Sequence, residues 1–115
     1  MRERERKLER KRLDLEMRSF RRAGMERNPT EGLLKAVRLA LRVPVAEIAG
    51  KMGVNRSGVF DLEAREVKNT ATVRSMQRMA EAMGCKVVYG IVPAGGKKLE
   101  GLAEERLWAA VLGKQ

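Results

Sequence analysis

Along most of the chain apolar positions recur every three or four residues with polar ones between them, a spacing that predicts helices. Leu13, Met17 and Phe20 form such a run, with Leu8 and Leu15 beside it, across residues 2–22, almost free of breakers, with fraying expected before Lys7. Residues 23–29, holding Gly24, Asn28 and Pro29, read as a linker. Thr30 then offers a capping oxygen, and Glu31 an acid, to a helix that ends near Arg42 and carries Leu33, Leu34, Val37, Ala40 and Leu41 as its apolar stripe. Pro44 separates it from a short helix, residues 45–52, with Ile48 and Ala49 inward and Gly53 as a left-handed stop.

Asn55 suits the cap of the next helix, Arg56 to about Ala64, whose inward side is Val59 and Leu62 with Val54 just before it. The polar loop AREVKNTAT follows; Asn69 tolerates positive φ and Thr72 caps a helix over 73–83 that buries Val73, Met76, Met79, Ala80 and Met83 and stops at Gly84. That methionine stripe reads as core filler. Residues 85–93, CKVVYGIVP, are the one convincing strand. A lone strand cannot satisfy its backbone, so its partner is a short irregular segment or the same strand of a second copy. We expect the second: a two-fold dimer joined through Val87, Val88, Tyr89, Ile91 and Val92. After a turn at 94–98, residues 99–112 read as a last helix with Leu99, Ala103, Leu107, Ala110 and Val111 along one side. Trp108, near that stripe, covers the strand or its dimer mate, or else belongs to a loosely packed tail. The expected organisation is a charged helical extension (1–27), a small helical domain (28–84), and a strand plus helix for dimerisation (85–115).

Charge changes the picture. There are 25 Lys and Arg against 15 Asp and Glu, a net charge of +10, which points to a polyanion such as nucleic acid or an anionic membrane surface. Five of those ten charges lie in residues 1–27, where eleven cations face six acids. That helix is either an arm along phosphates, a clasp for a partner, or a solvated helix laced by pairs one turn apart. No apolar run approaches the ~18 residues that span a bilayer, and the arginine-rich start lacks a signal peptide's apolar block, so a cytoplasmic, nucleoid-associated protein is expected. Histidine is absent and Cys85 is the one cysteine, which excludes internal disulfides, zinc-finger ligation and Ser-His or Cys-His nucleophiles. Asp61 and Glu63 stand too close on one helix to face each other across a substrate, and no glycine-rich phosphate loop precedes a helix. No enzyme, cofactor or metal is expected. RNA binding loses weight because Phe20, Phe60, Tyr89 and Trp108 are the only aromatic residues available to stack on bases.

The chain from Val43 to Glu63 has a small residue at Ala49, where two helices cross, a glycine four residues on for the turn, and apolar residues beneath. The run Glu47-Ile48-Ala49, Gly53-Val54, Val59 and Leu62-Glu63 resembles the XRE-type (Cro and phage-repressor-like) helix-turn-helix family over roughly residues 30–84. With the stretch from Thr72 through GCKVVYGIVP and the long charged N-terminal helix, the chain looks like the bacterial mobile mystery protein A family. The resemblance implies a mainly α, lambda-repressor-like bundle that binds double-stranded DNA.

By position, the resemblance puts Arg56 and Ser57 at base edges, with Phe60 and Asp61 one turn on. The chemistry agrees, because arginine can fork onto N7 and O6 of guanine. Phe60 departs from the small polar residue usual there, and Pro44 and Val45 replace the usual hydroxyl cap and glutamine. Holding the phosphates then falls to Lys51, Asn55, Arg65, Lys68, Asn69, Thr70 and Arg74. The resemblance also pairs Arg38 with Glu63, so that removing Glu63 is expected to cost more stability than removing Glu66. Two functions follow as expectations: a dimeric transcriptional regulator, a repressor of its own or a neighbouring operon, or an antitoxin-like protein that binds a toxin or Fic-domain partner.

Overall fold

A computed structural model describes residues 1–26 and 32–113, with the backbone alone at 24–26. Seven α-helices account for most of it: α1 Glu3–Glu16, α2 Arg18–Glu26, α3 Leu33–Leu41, α4 Val45–Met52, α5 Arg56–Val67, α6 Val73–Ala82 and α7 Leu99–Val111, with a short 3₁₀ turn at Ala94–Gly96. None of them is long and apolar enough to cross a membrane. The expected caps at Thr30 and Glu31 lie outside the described residues, as do residues 27–29 of the expected linker; residues 23–26 continue α2.

The chain forms two compact units, residues 28–88 and residues 1–27 with 89–115. In the first, α3, α4, α5 and α6 pack around Leu34, Ile48, Ala49, Val59, Leu62, Met79 and Ala82. Ile48, Val59 and Met79 lose all contact with solvent, each burial contributing about 1.5–3 kcal/mol. Val43, Val45, Met52, Ala71, Met76 and Met83 close the rim of this core. Four residues expected on inward faces are corrected at its edge. Val54 stays exposed because it precedes the Asn55 cap of α5, and Val73 because it is the first residue of α6, at the open end of the helix. Leu33 and Leu41, at opposite ends of the α3 stripe, are exposed for the same end-of-helix reason.

The turns are set locally. Gly53 takes φ +70 between α4 and α5, a conformation that costs other residues a clash at Cβ. Asn55 accepts the Gly58 N–H at 2.8 Å and Thr72 accepts the Ser75 N–H at 3.1 Å, so both helices are capped from their own sequence. Asn69 stands at φ +62 in the loop between them.

In the other unit the N-terminal run breaks at Met17, whose N–H still bonds the Leu13 carbonyl, and resumes as α2. α1 packs against α2 and against α7, and α2 packs against the 3₁₀ turn. Asp14 on α1 accepts the Leu99 and Glu100 N–H groups at 2.7 and 3.4 Å, supplying the cap that Lys98 does not. Arg10 forks onto Glu100 at 3.1 and 3.2 Å, which holds the Glu100 carboxyl below its ordinary pKa, and reaches Glu3 at 3.3 Å. Arg21 donates to the Asp14 carbonyl at 2.6 Å. Part of the charge on α1 is therefore spent on α7 and on its own neighbours, with Arg12 bonded to Glu9 and Glu16.

The expected strand does not form: among the described residues there is none. The Cys85 N–H bonds the Ala80 carbonyl of α6, the Val87 N–H goes to Gln77 Oε1 at 2.8 Å, and Val88 to Val92 make no hydrogen bond among the described residues. β-branched residues fit a pleated surface, but a strand needs a second edge, and none stands among the described residues.

Candidate nucleic-acid interface

The first turn of α5 follows the Gly53 turn directly, so its outward side chains stand at the edge of the 28–88 unit. Its inner face, Val59, Leu62 and Glu63, is buried. Arg56, Ser57, Phe60 and Asp61 all fall on the opposite side and are exposed. The Arg56 side chain makes no hydrogen bond or ion pair among the described residues. The Ser57 hydroxyl donates to Asn55 Oδ1 at 2.7 Å, leaving its oxygen as an acceptor toward solvent. Asp61 lies 3.8 Å from Arg65 one turn on. Phe60 carries the Arg38 guanidinium over its ring at 5.8 Å, so one face of this ring is already occupied.

Arg38 ties this helix to α3. Its Nε and Nη2 donate to Glu63 Oε2 and Oε1 at 2.7 and 3.1 Å, and both side chains are nearly withdrawn from water. Hydrogen bonding to Glu63 raises the Arg38 pKa above its already high ordinary value. A charged fork thus fixes the angle at which α5 leaves the bundle.

The side chains expected to hold phosphates divide. Lys68 and Arg74 are exposed and unpaired among the described residues. Lys51 is turned toward α6, with Nζ 3.4 Å from the Ala82 carbonyl and 3.5 Å from Glu47. Thr70 Oγ1 donates to the Arg65 carbonyl at 3.3 Å, Asn69 serves the turn, and Asn55 is spent on its cap. Arg65 has a buried Nε with no partner.

Sequence reasoning missed two anchors. Glu66 accepts the Leu33 and Leu34 N–H groups at 3.0 and 2.8 Å, capping α3 from across the bundle. Arg78 on α6 donates to the Met52 carbonyl at 2.7 Å, holding the end of α4 beside the turn. Neither bond is local, and no spacing in the chain announces it.

These bonds leave an imbalance. Every described acid of this unit is engaged: Glu47 with Lys51, Asp61 with Arg65, Glu63 with Arg38, Glu66 with α3 and Glu81 with Gln77. Arg56, Lys68 and Arg74 have no such partner among the described residues, which leaves positive charge to face outward.

Compared with protein-family models, curated proteins and solved structures, the chain matches none.

Proposed function

We propose that the 28–88 unit is a helix-turn-helix module that binds duplex DNA in a sequence-specific way, and that the chain acts as a dimeric transcriptional regulator, a repressor of its own or a neighbouring operon. The observation that carries the reading is Arg56: an exposed, uncommitted guanidinium in the first turn of a helix clamped from behind by Arg38 and Glu63. In this reading α5 lies in the major groove, Arg56 forks onto a guanine, and Ser57 accepts from a base amino group. Lys68 and Arg74 take phosphates and set the register. The helix-turn-helix resemblance of residues 43–63 supports the assignment, and the surplus of free cations supports a polyanionic partner.

Selection of bound duplexes from a random pool tests it. The expected result is an inverted repeat with guanine at a fixed position in each half. Arg56→Ala is expected to weaken binding to the selected site about 10- to 100-fold, equivalent to ~1–3 kcal/mol, and to relax that position. A pool that yields no common sequence, or unchanged binding by the Arg56→Ala, Ser57→Ala double variant, overturns the assignment.

A further inference from the structure

We propose that the unit of residues 1–27 and 89–115 carries a phosphate-binding cleft of its own, a sequence-independent contact to the backbone of duplex DNA that uses none of the α5 residues. Lys11, Arg18, Arg21 and Lys98 line a cleft of about 550 Å³ where the junction of α1 and α2 meets the start of α7. Two carboxylates share the cleft, and both are already bonded. Asp14 gives one oxygen to the Leu99 N–H and the other to the Glu100 N–H, and Arg21 rests on its carbonyl at 2.6 Å. Glu100 is forked by Arg10. With Arg10 counted, five cations meet two acids, and Lys11, Arg18 and Lys98 are exposed with no side-chain hydrogen bond or ion pair among the described residues.

Folding does not call for these charges. Lys98 is the N-cap of α7, a cation at the positive end of a helix where an acid is favourable, and its side chain makes no capping bond. Like charges gathered round one cleft also repel, so the arrangement is favourable only with an anion present. Residues 1–27 hold eleven cations against six acids and residues 89–115 four against three, so six of the ten net charges belong to the unit without the helix-turn-helix. The chemistry selects a phosphodiester backbone. Lys11 and Arg18 stand seven residues apart, about 10 Å of helix rise, and one strand of a duplex offers a phosphate about every 3.4 Å along its axis. No aromatic side chain lines the cleft to stack an unpaired base, which favours a duplex over a single strand. Leu15 is the one apolar side chain among its lining residues, whereas a helix lying on a membrane needs a full apolar face. The inference stands independently of the role given to Arg56.

Fluorescence anisotropy of a labelled random-sequence duplex, titrated with the full chain at salt from about 50 to 200 mM, tests it. The Lys11→Gln, Arg18→Gln, Lys98→Gln variant is expected to bind about 10- to 100-fold more weakly at ~100 mM salt, and its slope of log affinity against log salt to be shallower by about 2.7, three contacts at ~0.9 each. The Arg2→Gln, Arg4→Gln, Arg106→Gln variant removes the same net charge from exposed positions outside the cleft, and its affinity is expected to stay within about 3-fold of wild type. Equal losses in the two variants, an unchanged slope in the first, or a wild type that binds no duplex at about 50 mM salt overturns the inference. A second measurement needs no variant: acetylation of Lys11 and Lys98 in the wild type, read by mass spectrometry, is expected to slow by more than half under saturating duplex, and unchanged rates at both overturn the inference too. Binding to phosphatidylserine vesicles that the cleft variant loses while it keeps the duplex would reassign the cleft to a membrane and do the same. The loss on random duplex is expected to persist in the Arg56→Ala, Ser57→Ala background. A cleft-dependent loss without any selected sequence removes the reading of α5 and leaves the cleft, whereas a selected sequence with no cleft-dependent loss does the reverse.

Discussion

Arg38 and Glu63 form a two-pronged ion pair, 2.7 and 3.1 Å, in which Glu63 is the one buried charged residue among those described. Removing the carboxylate leaves a guanidinium stranded between α3 and Phe60, so Glu63→Ala is expected to cost about 3–5 kcal/mol. Glu66→Ala is not the neutral comparison that an exposed position suggests, because it uncaps α3; about 0.5–2 kcal/mol is expected. Glu47→Ala, which breaks an exposed pair with Lys51, is expected to stay within ~1 kcal/mol. Melting temperatures of the three variants check the order, and equal losses at Glu63 and Glu47 would sink the role given to the pair.

Arg42 ends α3 in the left-handed conformation, φ 56 and ψ 37, where glycine is the usual residue. Its N–H bonds the Leu39 carbonyl and the Val43 N–H bonds that of Arg38, so the turn is complete without the arginine side chain. Arg42→Gly relieves the Cβ clash at some cost in unfolded-chain entropy, and a net gain of about 0.5–1 kcal/mol is expected from urea denaturation. A loss of stability would show that the arginine side chain contributes more than its backbone strain costs.

What the chain announces in its own order is what neighbouring residues decide. Gly53, Asn55, Asn69 and Thr72 each act on residues within four positions, and their turns and caps stand where the sequence places them. The core of the 28–88 unit was legible for the same reason, since helical period alone orients Leu34, Ile48, Val59, Leu62 and Met79. Asp14 capping Leu99 joins residues 85 apart, and Glu66 capping Leu34 joins residues 32 apart. Such bonds spend a polar side chain on a distant backbone, and no local pattern encodes them. That is why α1 reads from sequence as an arm, a clasp or a solvated helix, and its packing on α7 goes unannounced. The strand failed differently: β-propensity records fit to a sheet, and no sheet is present among the described residues to fit. At the site, the facing of Arg56, Ser57, Phe60 and Asp61 was legible from the α5 period, whereas the diversion of Lys51, Asn55 and Thr70 to internal bonds was not.

Gly90 and Gly101 give opposite predictions for one substitution. A Cβ on Gly90 would stand 2.7 Å from Phe20 Cγ and 2.9 Å from Met17 Sδ, so Gly90→Ala pushes the extended segment off α2 and is expected to cost about 1–3 kcal/mol. Gly101 sits inside α7 with nothing within 4 Å of a Cβ, and Gly101→Ala is expected to add about 0.5–1 kcal/mol through helix propensity. Chemical denaturation of both proteins gives the signs; a stabilised Gly90→Ala protein would mean that the segment does not hold this contact in solution.

The fork between Arg10 and Glu100 makes the association of α1 with α7 sensitive to acid. Arg10 holds the Glu100 carboxyl below its ordinary value, and Arg12 does the same to Glu9. In the unfolded chain these carboxyls titrate near the usual pKa of about 4.3, so as pH falls the unfolded state takes up protons first. The stability they contribute is complete above the ordinary value and drains away as pH drops through it toward the lowered, folded one. Urea midpoints followed by far-UV circular dichroism at neutral pH and at pH of about 5, 4 and 3 are expected to fall with acid, and to fall less in Arg10→Met, which keeps the side-chain packing and removes the charge. Glu9 still titrates against Arg12 in that variant, so part of the slope persists. An acid slope unchanged by Arg10→Met would mean that the fork does not stabilise the folded chain and that Asp14, through its cap on Leu99, joins the two helices without it.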